Sequence, residues 1–256
     1  MTVFNSQLVK SLHQNGGPMF APVSHEIRGH EFNFMAGGGV FWVNTATLLL
    51  ADLHFGKAEA LQRRGVPLPH GSDRADLDKL RTLVEATSAR RLILLGDIFH
   101  ARPSGTEAIF AEWNAQPPLT TSSTPLEVLA IVGNHDRHGA ANISTSVVRA
   151  ATAQLHGLSW LPSYSEAGFS FHHEPSERLP GTYGFCGHIH PCLSLGTVAD
   201  RARFPVFWIQ PELCVLPAFG ALTGGSAVSL GRADAAIILT PAGPRWAARA
   251  RSADCS

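Results

Sequence analysis

Apolar residues follow two different periods along the chain. Residues 25 to 51 form a series of short, mainly apolar runs that are separated by Gly and Asn, which is typical of strands. Strands are predicted there over residues 25–35, 37–45 and 45–51. The period then changes. Ser72 stands where it can cap a helix, because Leu77, Leu80, Leu83 and Val84 follow it at helical spacing.

Two continuous apolar runs, RLILLGD at 91–97 and PLEVLAIVGNHD at 125–136, indicate buried strands. Short helices are predicted between and after them, over residues 106–113 and about 141–156. After Pro162 the chain is rich in strands again. The predicted segments there are GFSFHH, TYGFCGH, PVFWIQ, ELCVLPA and AAIILT.

This order of elements favours an α/β fold of two packed sheets flanked by helices over one doubly wound sheet. The Pro-rich and Ser/Thr-rich stretches are each followed at once by a strand, which indicates exposed loops within one domain. We therefore predict a single domain over residues 1–256, with a core at about 25–240 and a surface extension at about 244–256.

Composition narrows the function classes. The chain is 45% hydrophobic and 16% charged, as expected for a globular protein, and its formal net charge is zero. Proteins that bind DNA mainly through phosphate contacts carry an overall positive charge, which this neutral chain lacks. A local basic patch is still possible. Four cysteines without CxxC spacing, and no signal segment or membrane span, predict a cytoplasmic protein with reduced thiols.

Polar residues of one chemical type stand at the ends of five predicted strands. Because strand ends are rigid and meet at one edge of a sheet, such side chains can converge. The residues are Asp52 and His54, Asp97 and His100, Asn134 with His135 and Asp136, His172 and His173, and His188 and His190.

Asp, His and Asn without Cys form a mixed nitrogen and oxygen set that suits Mn, Fe or Zn. The set is Asp52, His54, Asp97, Asn134, one histidine from 172/173, His188 and His190. It holds more ligands than one ion needs and is enough for two ions that share a carboxylate, the arrangement used for in-line displacement at phosphorus. Each motif alone could equally be a turn, a cap or a packed histidine; the five together in this order favour a metal centre.

The motifs D-x-H, GD-x-x-H, GNHD, a downstream His and GHxH resemble the signature of the calcineurin-like metallophosphoesterases. Within that superfamily the chain is most similar to the bacterial ligase-associated DNA-damage-response endonucleases of the PdeM family. The strings that carry this resemblance are DLHFGKAEALQRRGVPLP, GDIFHAR, FHHEP, GHIHP and LPAFGALTGG. It covers residues 50–225 and implies a four-layer αββα sandwich of two mixed sheets.

The resemblance also implies roles for individual residues. One metal would be held by Asp52, His54, Asp97 and His190, and a second by Asp97, Asn134, His172 and His188. His172 is preferred to His173 because the family ligand follows its strand directly. A hydroxide that bridges the two ions, most consistent with Mn and also with Fe or Zn, would attack phosphorus in line. His135 would protonate the leaving oxygen as general acid.

The chain departs from the family at His100, where many members have an aspartate that orients the catalytic histidine. An imidazole cannot stabilise the protonated His135 by charge as a carboxylate does. His100 is therefore predicted to take part in catalysis with a weaker effect, or to be a polar residue that fills the space beside the centre.

Lys57, Arg63, Arg64 and Arg102 are candidates for binding phosphate, although a solvated surface role is common for any one arginine. The predicted function is a dinuclear metal-dependent phosphodiesterase that cuts DNA in repair, with a DNA-repair ligase or helicase as partner by resemblance. The alternatives are a small-molecule cyclic-nucleotide phosphodiesterase or phosphomonoesterase, which the neutral charge favours, and a non-catalytic scaffold of the same fold. A scaffold typically loses ligands, and here every motif is filled.

Overall fold

The computed structural model describes residues 21–69, 71–100, 126–137, 153–155, 158–196 and 201–249. Within these ranges it contains seventeen strands in two sheets and two α-helices. The predicted helix at 106–113 and the candidate Arg102 lie outside the described residues.

The first sheet has eight strands in the order β1-β2-β3-β4-β5-β6-β8-β7. β4, β5, β6 and β8 run parallel to one another, and the remaining neighbours are antiparallel. The strands are β1 (Val23–Ile27), β2 (His30–Phe34), β3 (Val40–Trp42), β4 (Thr47–Leu50), β5 (Arg91–Leu95), β6 (Glu127–Ile131), β7 (Ala153–Leu155) and β8 (Leu158–Leu161).

The second sheet has nine strands, seven of them in the order β15-β12-β13-β14-β11-β10-β9, with β16 paired to β13 and β17 paired to β16. β10, β11 and β14 are parallel to one another. The strands are β9 (Tyr164–Glu166), β10 (Phe169–Phe171), β11 (Tyr183–Cys186), β12 (Pro191–Gly196), β13 (Arg201–Ile209), β14 (Leu213–Val215), β15 (Ser226–Ala227), β16 (Ala235–Thr240) and β17 (Gly243–Ala248). The predicted α/β fold with two mixed sheets is confirmed.

The two helices are α1 (Lys57–Arg63) and α2 (Ser72–Thr87). α2 begins at Ser72, and Gly71 before it occupies the N-cap position without a side-chain cap, so the prediction that Ser72 caps the helix is wrong. Leu80, Leu83 and Val84 of α2 are buried in one cluster with the outward side chains of β4 and β5. The outer face of β12, β13 and β16 is covered by Val228 and Leu230. A helical layer on the second sheet therefore stays a prediction.

The largest apolar cluster lies between the two sheets. Alternation along β4 turns Leu48 and Leu50 toward α2 and Leu49 toward the second sheet. This explains why the strand is apolar at every position. The aromatic side chains of the inner cluster touch one another at ring-centroid distances between 4.9 and 6.0 Å. Five that do so are Phe32, Trp42, Phe169, Phe171 and Phe185; the cluster also contains Phe34, Tyr183 and Phe207.

Two sequence predictions are corrected by this topology. Residues 153–155, placed at the end of a predicted helix, form the edge strand β7, and the rest of that helix lies outside the described residues. The extension predicted from residue 244 is also wrong for its first part, since Gly243–Ala248 form β17 and Trp246 packs on the inner cluster. No helix in the described part of the chain is long and apolar enough to cross a membrane.

Candidate metal centre

The loops that follow β4 and β5 are joined by backbone hydrogen bonds beyond the ends of the strands. The N–H of Asp52 donates to the carbonyl of Gly96 at 3.2 Å, and the N–H of His54 donates to the carbonyl of Asp97 at 2.9 Å. Phe55 and Phe99 continue the parallel pairing as an isolated bridge. The two Asp-bearing loops therefore hold a common register, which places their side chains at one point.

Asp136 ties the loop after β6 to the loop after β5. Its buried carboxylate accepts hydrogen bonds from the backbone N–H groups of Gly133 at 3.0 Å, Phe99 at 3.1 Å and Ile98 at 3.4 Å. In addition, the N–H of His135 donates to Oδ1 of Asp97 at 2.9 Å. The last residue of the GNHD motif thus holds the two loops together and does not face the cluster of donors.

The second sheet reaches the same point through the loop after β11. The N–H of His188 donates to Oδ2 of Asp52 at 2.9 Å, which joins the two sheets directly. A Cβ at Gly187 would lie 2.3 Å from that carboxylate, and one at Gly133 would lie 2.2 Å from the backbone nitrogen of Asp97. The glycines in GHxH and GNHD are therefore required for the close approach of the loops.

One group of donors comprises Asp52, His54 and His190, with Asp97 next to them. Nε2 of His190 lies 3.2 Å from Oδ1 of Asp52 and 3.3 Å from Nε2 of His54. Oδ2 of Asp97 lies 3.7 Å from Nε2 of His54.

A second group comprises Asp97, His173 and His188, with Asn134 between the two histidines. Nε2 of His173 lies 2.9 Å from Oδ1 of Asn134, 3.1 Å from Nδ1 of His188 and 3.4 Å from Oδ1 of Asp97. The two carboxylate oxygens of Asp97 therefore face two different groups of donors.

The structure places His173 in the second group of donors and His172 outside it, whereas the family resemblance prefers His172. Phe169 and Phe171 of β10 point into the core between the sheets, and alternation puts His173 on the same side. His172 points to the other side, where its Nδ1–H donates to the carbonyl of Glu174 at 2.7 Å and its Nε2 faces Gly184. The parity of the FHH string is the sequence signal that places His173, and not His172, on the side of the centre.

The tautomers of two histidines fit a cation. Nδ1 of His173 lies 2.9 Å from the carbonyl of Leu95, and Nδ1 of His190 lies 3.2 Å from the carbonyl of Gly224. Because a carbonyl only accepts, both Nδ1 atoms carry the proton, and the Nε2 atoms turn toward carboxylates. Histidines that bind metals use this arrangement.

The charge balance of the centre fits a cation as well. Burial lowers the pKa of His54 to about 2 against the opposing effect of Asp97, so this imidazole is neutral and can act as a ligand. Burial alone would lower the pKa of His173, but its hydrogen bond to Asp97 and the charge of that residue raise it to about 9. A proton on His173 thus balances Asp97, and a cation bound there would take the place of that proton.

The backbone of the centre is unusual. Nine described residues other than glycine have positive φ, and five of them are candidate ligands: Asp52, His54, Asp97, His188 and His190. A left-handed conformation costs about 1–2 kcal/mol for a residue with a Cβ. This concentration of strain is characteristic of functional sites, where the surrounding contacts impose the conformation.

His100 and His135 lie beside the first group. The ring of His135 stacks on that of His100 at a centroid distance of 4.9 Å, and Nδ1 of His100 lies 3.4 Å from Nδ1 of His54. Burial, followed by the charges of Lys57, His135 and Arg64, lowers the pKa of His100 to about 4. His100 is therefore neutral near pH 7 and supplies no charge to His135.

The predicted phosphate-binding residues are divided by the structure. Lys57 is half-buried and close enough to the centre for its charge to lower the pKa of His54 and His100. The charge of Arg64 also lowers the pKa of His100. Arg63 instead forms an exposed ion pair with Glu59 at 2.6 Å. Lys57 and Arg64 thus remain candidates.

Helix α2 supports the centre through side chains that motif analysis did not single out. Asp73 accepts a hydrogen bond from the N–H of Gly56 at 2.7 Å, next to the loop of Asp52 and His54. Asp76 accepts from the N–H of Ala221 at 3.0 Å, and Lys79 donates to the carbonyl of Phe219 at 2.6 Å. These contacts fix the segment that carries Gly224, the partner of His190. The sequence feature that could have pointed to these residues is the presence of two acidic residues and a lysine on the otherwise apolar face of the helix.

Comparison with known proteins gives matches among solved structures. No protein-family model and no curated protein matches the chain. Among solved structures, the crystal structure of Pseudomonas putida nuclease MPE superposes with a TM-score of 0.68 and 28% sequence identity, over 85% of this chain and 96% of that one. The chain is thus similar in fold to a nuclease over nearly the whole length of the latter.

Proposed function

We propose that this protein is a dinuclear metal-dependent phosphodiesterase that cuts DNA. The observation that carries the proposal is Asp97, whose two carboxylate oxygens face two separate groups of nitrogen and oxygen donors. One ion would be held by Asp52, His54, Asp97 and His190, and the other by Asp97, Asn134, His173 and His188. The nuclease activity of the similar Pseudomonas putida protein supports DNA as the substrate.

Two bound ions would supply Lewis-acid stabilisation of the charge that develops on the phosphate. This mixed donor set suits Mn, Fe or Zn, and Mn is the ion that we propose. In the hydrolysis, a water oxygen forms a bond to phosphorus as the bond to the leaving oxygen breaks. His135 stands beside the centre, where it forms a further possible donor group with His54 and His100. Neither of the two proposed ion sites uses it, so it is available to give a proton to the leaving oxygen. Lys57 adds positive charge where the phosphate would lie.

The alternative is a hydrolase of cyclic nucleotides or phosphomonoesters. The net charge of zero favours it, because such substrates need no extended basic surface. A role in DNA repair, with a ligase or helicase as partner, follows from the family resemblance and is part of the proposal.

The test compares substrates and counts metals on one preparation. Protein loaded with Mn is assayed on plasmid DNA, a bis-aryl phosphodiester, a cyclic nucleotide and an aryl monoester, and its bound metal is measured by elemental analysis. We expect two ions per chain and cleavage of DNA that EDTA stops. Full activity with one ion would overturn the dinuclear centre. Intact DNA together with rapid turnover of a cyclic nucleotide or monoester would favour the alternative.

Two neighbouring histidines provide a matched pair of variants for the ligand set. His173→Ala should lose about one equivalent of metal together with most of the activity, since it removes a donor of the second group. His172→Ala should keep both ions, because its ring points away from the centre. Loss of metal in His172→Ala alone would reverse the assignment.

A further inference from the structure

A two-stranded ribbon extends the second sheet past the candidate metal centre. β12 pairs with the first half of β13, from Cys192 opposite Pro205 to Gly196 opposite Arg201. Only the second half of β13, residues 206–209, pairs with β14 and β16. We call residues 191–196 and 201–205 the arm.

The arm lies at the edge of the sheet that carries the centre. β11 and β14 are parallel, with Cys186 opposite Val215 at their ends, and the loop of His188 and His190 follows β11. β13 is antiparallel to β14, with Trp208 opposite Val215, so its residues before 208 lie beyond this edge. β12 begins directly after His190.

One face of the arm carries two arginines. Phe207 and Ile209 of β13 point into the core between the sheets. Alternation puts Arg201 and Arg203 on the same face, where both side chains are exposed, about 7 Å apart along the strand. The opposite face is apolar, with Leu193 and Phe204 packed together in one cluster and Leu195 exposed toward the end of the arm. The basic face is therefore turned to the side of the first sheet, as the metal centre is.

Arg203 is linked to the centre by a short chain of contacts. Its guanidinium donates a hydrogen bond to the carbonyl of Gly225. The carbonyl of Gly224, one residue earlier, accepts the hydrogen bond from Nδ1 of His190 at 3.2 Å. The positive charge of Arg203 is thus held beside a candidate ligand.

Positive charge also lies on the other side of the centre. The two nitrogens of the His54 ring face opposite neighbours, Nδ1 toward His100 at 3.4 Å and Nε2 toward His190 at 3.3 Å. Arg64 stands at the C-terminal end of α1, the helix that begins three residues after His54, and the arm stands beyond His190. A polyanion that crosses the centre would meet positive charge before and after it, which a small phosphate ester would not span.

We infer that the arm binds the phosphate backbone of DNA through Arg201 and Arg203 and directs the polymer across the metal centre. This inference rests on the proposed function, since it assigns a track to the same substrate. It also explains how a neutral chain can hold DNA, because the contacts are local.

The test separates binding from turnover. Binding of a labelled DNA duplex is followed by fluorescence anisotropy in EDTA at several salt concentrations for Arg201→Gln, which leaves the bond between Arg203 and Gly225 intact. Removal of one phosphate contact should make the slope of log affinity against log salt less steep by about 0.9. Near about 0.1 M salt this corresponds to binding that is several-fold weaker. Turnover of the bis-aryl phosphodiester should stay within about twofold, and Arg201→Lys should restore binding, since a lysine also neutralises one phosphate.

The matched control is Arg90→Gln, which removes one exposed charge at the start of β5, the opposite edge of the first sheet. An equal change in Arg90→Gln and Arg201→Gln would overturn the role of the arm, as would tighter, arm-dependent binding of RNA. Wild-type protein that fails to bind DNA would also overturn it, even if the bis-aryl diester is cut. Salt-dependent, arm-dependent binding without DNA cleavage would uphold the arm and reject the nuclease function.

Discussion

The core between the sheets and the edge that holds the metal centre are built by the same strands with opposite chemistry. Leu49 and Ile93 are completely buried in the core, and Asp52 and Asp97 follow them by three and four residues. In the core the packing is apolar and the strands are regular. At the edge, five candidate ligands have left-handed backbones, and buried carboxylates face imidazoles.

The difference indicates a division of labour between stability and function. Apolar burial in the core stabilises the fold by about 25 cal/mol per Å². This stability offsets the cost of the strained backbones and buried polar side chains at the edge. The backbone hydrogen bonds from the loops to one another and to Asp136 then hold the candidate ligands in fixed positions relative to the rigid core. Variants on either side should therefore separate folding from activity.

The largest difference between an effect on activity and an effect on stability is expected between Asp97→Asn and Leu49→Ala. Asn tolerates the left-handed backbone at residue 97 but lacks the charge that both donor groups share, so activity should fall to background and metal content should drop. Leu49→Ala should lower the free energy of unfolding by about 2–5 kcal/mol, while the folded fraction keeps its metal. Elemental analysis and chemical denaturation of both variants measure this, with the exposed Glu26→Gln as control. Normal turnover by Asp97→Asn with two ions bound would contradict the shared-ligand proposal.

The same division explains what could be predicted from the sequence. The long apolar runs of β4, β5 and β6 were predicted because burial on both faces leaves a clear pattern. The polar residues after these strands and after β11 were predicted to converge, and Asp52, Asp97, Asn134, His188 and His190 do lie together.

The remaining features depend on partners that are distant in sequence. β7 and β17 form through pairing with neighbouring strands and not through a strong pattern of apolar residues in the sequence. The choice of His173 required the parity of β10, which follows from the packing of Phe169 and Phe171 against the other sheet. The contacts of Asp76 and Lys79 with residues near 220 join segments about 140 positions apart.

His135→Ala tests chemistry at the edge without removing a donor of either ligand group. We expect it to keep both metals and lose roughly 10²–10⁴-fold in rate on an alkyl phosphodiester, because the leaving alkoxide needs a proton. The loss should be much smaller on a bis-aryl diester, whose leaving group departs without one. Steady-state rates on the two substrates give the answer, and an equal loss on both would show that His135 is not the acid.

Lys79→Met tests whether the edge depends on the buried contacts of α2. The ammonium lies 3.6 Å from the buried carboxylate of Asp76 and 3.7 Å from the ring centre of Phe219. Leaving Asp76 without this partner should lower the free energy of unfolding by about 3–5 kcal/mol. Metal affinity should weaken too, since the segment of Gly224 orients His190. The control is Arg74→Met on the same helix, an exposed pair with Asp78 for which about 0–1 kcal/mol is expected. Similar losses in the two variants would remove the special role of Lys79.

His100→Asp should produce a smaller, substrate-dependent change. A carboxylate at this position would stabilise the protonated form of His135, whose ring now stacks on neutral His100. We expect the rate on substrates with poor leaving groups to rise several-fold relative to the bis-aryl diester, at unchanged metal content. His100→Asn has the same size without the charge and should leave the ratio unchanged. If both variants leave it unchanged, His100 only fills space beside the centre.

The smallest effect is expected far from the edge, at His25 of β1. Its ring meets that of Trp246 of β17 edge-on at 5.3 Å, and burial, followed by the charge of Arg249, lowers its pKa below 6.5 although Glu26 opposes this. The unfolded chain therefore binds this proton more tightly, and the free energy of unfolding should fall as the pH decreases through 6.5 toward the folded pKa. His25→Gln, which does not titrate, should show a weaker decline over the same interval. Denaturation curves between pH 5 and 7.5, recorded with and without Mn, measure the difference between the two proteins. Because His25 belongs to the region between the sheets, that difference should not depend on Mn; parallel curves for the two proteins would contradict the lowered pKa.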